Sequence, residues 1–169
     1  DPIFNFLTGG IAVGSKTWVI DSNYDGHFGV GPNPTDPAFG EVPHYYSAEP
    51  NQQSGNGMYD DKYIFSLDGF KFDMITNGDV YLHNSLAASF PGSYQNLGDF
   101  TAPFDNQMNE SWLLTEDGDP TITISGNAFL GFYTGPRVYR ILSATDSTLH
   151  LQYGHHEGGL KWYVKLKTQ

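Results

Sequence analysis

Carboxylates and aromatic rings crowd the stretch between Lys16 and Phe65, where KTWVIDSNYDGHFGVGP leads through PHYYSAEP to GMYDDKYIF. Tyr24, Tyr45, Tyr46 and Tyr59 offer flat apolar faces, with His27, Asp60 and Asp61 close by in sequence. A pyranose ring asks for both kinds of group. Its C–H faces are weakly apolar and pack on aromatic rings, while its fringe of hydroxyls needs fixed donors and acceptors. The residues expected to stack are Trp18, Tyr45 and Tyr46, with Tyr24 and Trp112 behind them. Those expected to bond hydroxyls are Asp21, His27, Asp60 and Asp61. Against this stands the tendency of aromatic side chains in a small β-protein to build its core. Trp112, in SWLLTEDGD, fits a core edge as well as a binding face.

Other groupings carry less chemistry. Asp21, Asn23 and Asp25 in DSNYDG match the opening of a calcium loop, whose oxygens at alternate positions converge on a hard cation. The twelfth position is Pro32 rather than a bidentate Glu, and no helices flank the loop. A lone structural calcium therefore competes with an Asx turn held by its own side chains, and no other cofactor is called for. GGIAVGSKT, residues 9–17, leads into Trp-Val-Ile rather than a helix, so it is not a phosphate loop. His155-His156-Glu157 precedes Gly158-Gly159 and reads as a solvated hairpin tip, with neighbouring side chains on opposite faces. No Gly-x-Ser-x-Gly elbow occurs. Neither Asp60-Asp61 nor Glu116, Asp117 and Asp119 presents the facing pair of carboxylates that glycoside hydrolysis requires.

The elements that must position these groups are strands. Period-two segments recur at Trp18–Ile20, Tyr63–Leu67, Phe70–Ile75, Val80–His83, Thr121–Ser125, Phe129–Tyr133, Val138–Ser143, Leu149–Tyr153 and Trp162–Leu166. Turn residues bound them, with hairpin signals at Asp68-Gly69 and Asn77-Gly78. Helix is expected only near Phe4–Leu7, stopped by Gly9-Gly10, and near Ser85–Ser89. The expected fold is all-β, a two-sheet β-sandwich of jelly-roll type with about nine to ten strands, and residues 1–169 are expected to form one domain. With 8 basic against 19 acidic residues and no basic stripe, nucleic acid and anionic membrane surfaces are poor partners. There is no cysteine for disulfides, thiolate metal sites or nucleophilic catalysis. No apolar run spans a bilayer, and DPIFNFLTGG lacks the marks of a signal peptide, so an exported protein would have shed its signal before Asp1.

KTWVIDSNYDGHFGVGP, PHYYSAEP, GMYDDKYIF, SGNAFLGFYTG and YRILSATDSTLHL together resemble the glycan-binding modules of Bacteroidetes cell-surface proteins. The likeness runs from about Leu7 to Leu166. It implies a non-catalytic β-sandwich that binds polysaccharide, β-glucan such as laminarin above all. It also implies a monomeric module of a larger multidomain lipoprotein on the outer-membrane surface, holding polymer near partner enzymes and an importer. Tyr45-Tyr46 stands where such modules would carry a Trp-rich pair. A small glycoside hydrolase on a similar sandwich, and an adhesion or spacer domain that binds protein, remain the alternatives.

Overall fold

The computed structural model describes residues 2–169. A short helix α1 (Pro2–Thr8) and one further turn, α2 (Gly10–Val13), precede thirteen strands. In chain order these are β1 (Ser15–Ile20), β2 (Phe28–Pro32), β3 (Tyr46–Ser47), β4 (Lys62–Ser66), β5 (Lys71–Ile75), β6 (Asp79–Leu82), β7 (Tyr94–Asn96), β8 (Asp99–Pro103), β9 (Gln107–Thr115), β10 (Thr121–Ile124), β11 (Val138–Ala144), β12 (Thr148–Gly154) and β13 (Leu160–Thr168).

The expected two-sheet sandwich is wrong. Strands β1, β4, β5, β9, β10, β11, β12 and β13 pair antiparallel in that order, and β13 returns to β1 through Trp18↔Thr168, Val19↔Lys167 and Ile20↔Leu166. The result is a closed eight-stranded barrel. A sandwich and a barrel use the same alternation of inward apolar and outward polar residues along each strand. What separates them here is a pairing between the two ends of the chain. Strand β13 also divides its partners: Leu160–Val164 pair with β2, which carries β3 on its far side, whereas Leu166–Thr168 pair with β1. A second sheet, ordered β6-β8-β7, stands apart from the barrel.

The inward positions carry Trp18 and Ile20, Tyr63 and Phe65, Phe72 and Met74, Ile122 and Ile124, Leu149 and Leu151, and Val164 and Leu166, all at or near zero exposure. Eight strands enclose just enough room for such side chains, so the barrel is a packed core. One end is stopped by α1, where Leu7 is buried, Phe4 packs on Trp112, and the Trp18 indole N–H donates to the Leu7 carbonyl at 3.0 Å. The other end is stopped by residues 128–134, a plug that takes in the expected strand Phe129–Tyr133. The Leu130 and Gly131 N–H groups donate to the Tyr139 and Tyr63 hydroxyls at 3.0 and 2.9 Å, and the Tyr153 hydroxyl donates to the Phe132 carbonyl at 2.8 Å. Gly131 sits at φ +66°, and an added Cβ would meet Val164 Cγ1 at 3.0 Å, so this crossing needs glycine.

Candidate functional site

The filled barrel leaves no room inside for a ligand, and a cleft lies outside it at the plugged end. One wall is the β2–β13 extension. Residues two apart on a strand share a face, so Phe28 and Val30 point together, next to Trp162, which pairs with Val30. The Phe28 and Trp162 rings lie nearly parallel, 13° apart with centroids at 5.9 Å, and Tyr46 meets Phe28 edge-on at 6.2 Å. Tyr46 can come this close because the other face of β2 carries glycine: a Cβ at Gly29 would strike the Tyr46 carbonyl oxygen. The opposite wall is Tyr81, Leu97 and Asp99 of the small sheet, and Gln53 closes one side. These residues enclose a cavity of about 220 Å³.

The polar groups of this cleft are fixed by hydrogen bonds reaching back into the loops. The Tyr46 hydroxyl accepts from Gln53 Nε2 at 2.7 Å and donates to Gln52 Oε1 at 3.1 Å. Gln53 in turn accepts from Asn56 Nδ2 at 2.9 Å, and its backbone N–H donates to the Tyr59 hydroxyl at 2.9 Å. Tyr59 continues the chain to His27 Nε2 at 2.7 Å, and His27 Nδ1 reaches the Tyr24 carbonyl at 2.7 Å. A carbonyl only accepts, so Nδ1 carries the proton and Nε2 takes the Tyr59 hydroxyl's. Burial, working against the Tyr24 bond and the charges of Asp21 and Asp25, holds this ring's pKa below its ordinary value and keeps it neutral. Across the cleft, Asp99 Oδ1 accepts from the Asn84 backbone and amide nitrogens at 3.0 and 3.1 Å. Its other oxygen has no donor among the described residues. Burial pushes the Asp99 carboxyl above its usual range, against the Asn84 bonds and the nearby imidazoles of His83 and His155.

Neither a protein-family model nor a curated protein matches this chain. Its function must be read from the site itself.

Of the residues expected to bind, Tyr46 alone lines this cleft. Tyr45 points away from it, exposed, with its ring edge-on to His44 at 5.0 Å. Trp18 and Trp112 lie inside the core at 0 % and 2 % exposure and do not line the cleft. His27 is buried beneath the loop that it braces. Tyr24 is exposed beside a different concavity of about 280 Å³, shared with Asp21, His150 and Lys165. There the Lys165 ammonium sits 3.9 Å from the Tyr24 ring centre and covers one face of that ring. Asp60 and Asp61 part company. Asp60 is exposed and accepts from Asn77 Nδ2 at 2.9 Å, while Asp61 is fully buried with neither oxygen bonded. In the DSNYDG turn, Asp21 Oδ1 faces Lys167 Nζ at 4.0 Å, Asn23 Oδ1 accepts from Asn51 Nδ2 at 2.9 Å, and Asp25 is exposed.

Sequence reasoning missed Phe28, Gln53, Tyr81 and Asp99, which come from four separated parts of the chain, and placed Trp162 only within the strand segment Trp162–Leu166. Trp162 is core and wall together, 5 % exposed yet part of the cleft lining. The reading of His155-His156-Glu157 as a solvated tip holds for His156 and Glu157, which are exposed in the turn, but not for His155. His155 is buried at 8 % exposure, its Nδ1 accepts from the Trp162 indole N–H at 3.3 Å, and its ring stands 4.6 Å from that of His83.

Proposed function

We propose that this chain is a non-catalytic carbohydrate-binding module and that its site is the cleft between the β2–β13 extension and the small sheet. Support comes from the lining: Tyr46 supplies a half-buried ring above a floor of Phe28, Tyr81 and Trp162, each at most 5 % exposed, and Gln53 and Asp99 supply anchored polar groups. Aromatic walls with a few fixed hydrogen-bonding groups suit a ligand with apolar faces and a polar edge. At about 220 Å³ the cavity is smaller than the roughly 300–1,000 Å³ typical of drug-sized ligands. It therefore takes one sugar ring, a chain end or a branch unit, rather than an extended run. The sequence resemblance directs the choice of polymer to β-glucan, laminarin first. A net charge of −11 and the Asp99 carboxylate favour a neutral glycan over an acidic one. Asp99 is the one carboxylate among the lining residues, so the facing pair used in most glycoside hydrolysis is not assembled there.

A single ring in a small cleft gives micromolar to millimolar affinity, about 4 to 8 kcal/mol, and retention on a polymer then grows by engaging several sites at once. The test is native gel retardation against laminarin, mixed-linkage β-glucan, xyloglucan, mannan, an α-glucan and alginate, with assays for released reducing ends. Retardation by a neutral glucan without hydrolysis is expected. Release of reducing ends would turn the reading to a hydrolase, and free migration in every gel would turn it to adhesion or spacing.

A further inference from the structure

We infer that His83, His155 and His156 form a binding site for a divalent transition-metal ion, Zn²⁺ by its donor set. Half of the chain's six histidines meet here. His83 follows β6, whereas His155 and His156 follow β12, some seventy positions later, and one ligand atom from each lies within 4.8 Å of the others. Neutral imidazoles are borderline donors that favour Zn²⁺, Ni²⁺ and Cu²⁺ over Ca²⁺ or Mg²⁺, and three of them with a fourth position left over is a known zinc arrangement. Bonds of about 2.0–2.1 Å to zinc need the nitrogens within roughly 3.4 Å of one another. Binding therefore requires the rings to draw together from their metal-free positions.

The groups around the three rings suit a metal. Glu157 Oε1 lies 3.3 Å from His155 Nε2 and 3.4 Å from His156 Nε2, so a carboxylate is at hand as the fourth ligand. The Ser85 hydroxyl sits between His83 Nδ1 at 2.6 Å and His156 Nε2 at 2.7 Å. That hydroxyl links two of the three rings in the metal-free cluster. The indole N–H of Trp162 can only donate, so it addresses an unprotonated His155 Nδ1 and leaves that neutral ring's proton on Nε2. A metal on Nε2 requires the proton on Nδ1 instead, and the weak 3.3 Å indole contact must then break. Ion binding therefore leaves a mark on Trp162, which also walls the cleft.

The test is calorimetric titration of the chelator-treated full chain with Zn²⁺, Ca²⁺ and Mg²⁺ near pH 7, with the indole N–H signals followed by NMR. One Zn²⁺ per chain and no uptake of Ca²⁺ or Mg²⁺ are expected. The Trp162 signal should move, while those of Trp18 and Trp112, bonded to the Leu7 and Ser66 carbonyls, should stay. His155 is buried, so the variants are His83→Gln and His156→Gln, with folding checked by circular dichroism. Each should weaken Zn²⁺ binding tenfold or more. The site is overturned if Zn²⁺ does not bind stoichiometrically, if the folded double variant binds it equally well, or if the Trp162 signal is unmoved at saturation.

Discussion

Asp61 has zero exposure and no hydrogen bond to either carboxylate oxygen. Burial first, and the neighbouring Asp60 and Asp79 next, raise its pKa well above 3.8. A folded-state pKa above the unfolded one means that the native state holds the proton longer. Stability from this group is complete below about pH 4 and is lost as pH climbs toward the raised folded value. Asp61→Asn removes the ionisation and with it this slope. Melting temperatures measured from pH 4 to 8 should fall less steeply for the variant than for the parent chain. An equal or steeper fall would show that Asp61 ionises without cost. The motif GMYDD offered both carboxylates as ligand groups, but they lie in the turn that leads into β4, where Asp60 meets solvent and Asp61 is buried. Which of the two faces inward is set by how that turn packs on the rest of the molecule, which the motif does not contain.

At the level of elements, the segment 33–45 is pinned across the outside of the barrel by Glu41. Its carboxylate accepts from Gln152 Nε2 and from Thr35 Oγ1 at 3.0 Å, and it faces Arg140 Nη1 at 3.2 Å and Lys161 Nζ at 3.6 Å. Partial burial alone would raise its pKa, but the bonds from Gln152 and Thr35 and the charge of Lys161 outweigh this and bring it to about 2. The stabilisation is present above roughly pH 4.5 and is lost as pH falls toward 2. Glu41 is 37 % exposed, so its ion pairs are screened and contribute little; the hydrogen bonds matter more. Glu41→Ala should cost about 1–2 kcal/mol and speed proteolysis within residues 33–45. An unchanged cleavage rate would mean that other contacts hold the segment. The plug offers a second test. Gly131→Ala places a Cβ against Val164 at a positive φ and should cost about 1–3 kcal/mol in denaturant unfolding, whereas a neutral result would mean that the plug shifts freely.

Elements were more legible in the sequence than their partners. The Asn77-Gly78 turn is present, with both residues at positive φ, but the strands it joins do not pair. Strand β5 goes to β9 in the barrel and β6 to β8 in the small sheet, because Thr76 bonds the Phe104 carbonyl and the Asn106 side chain beyond the turn. Strand β9 escaped notice because QMNESWLLT buries only Trp112 and shows little alternation. From β10 to β13 each strand pairs with its sequence neighbour, and the period-two segments Thr121–Ser125, Val138–Ser143, Leu149–Tyr153 and Trp162–Leu166 mark all four.

For the whole molecule, closure into a barrel follows from contacts between β1 and β13, which no local pattern announces. That closure also decides what the surface can do. It consumes Trp18 and Trp112 as core, fills the interior, and leaves the cleft to Phe28, Tyr46, Gln53, Tyr81, Asp99 and Trp162, gathered from the barrel wall, the small sheet and the loops between. An aromatic-rich sequence pointed to sugar chemistry, and Tyr46 was in view. Its partners were not, because they are brought together only by tertiary pairing. The measurement that tests this account most directly is retention on laminarin of three folded chains: the parent, Tyr46→Ala in the cleft and Tyr24→Ala at the Lys165 concavity. Retention should fall tenfold or more, about 1.4 kcal/mol, for Tyr46→Ala and stay at the parent level for Tyr24→Ala. Loss with Tyr24→Ala and retention with Tyr46→Ala would place the sugar elsewhere and contradict the assignment of the cleft.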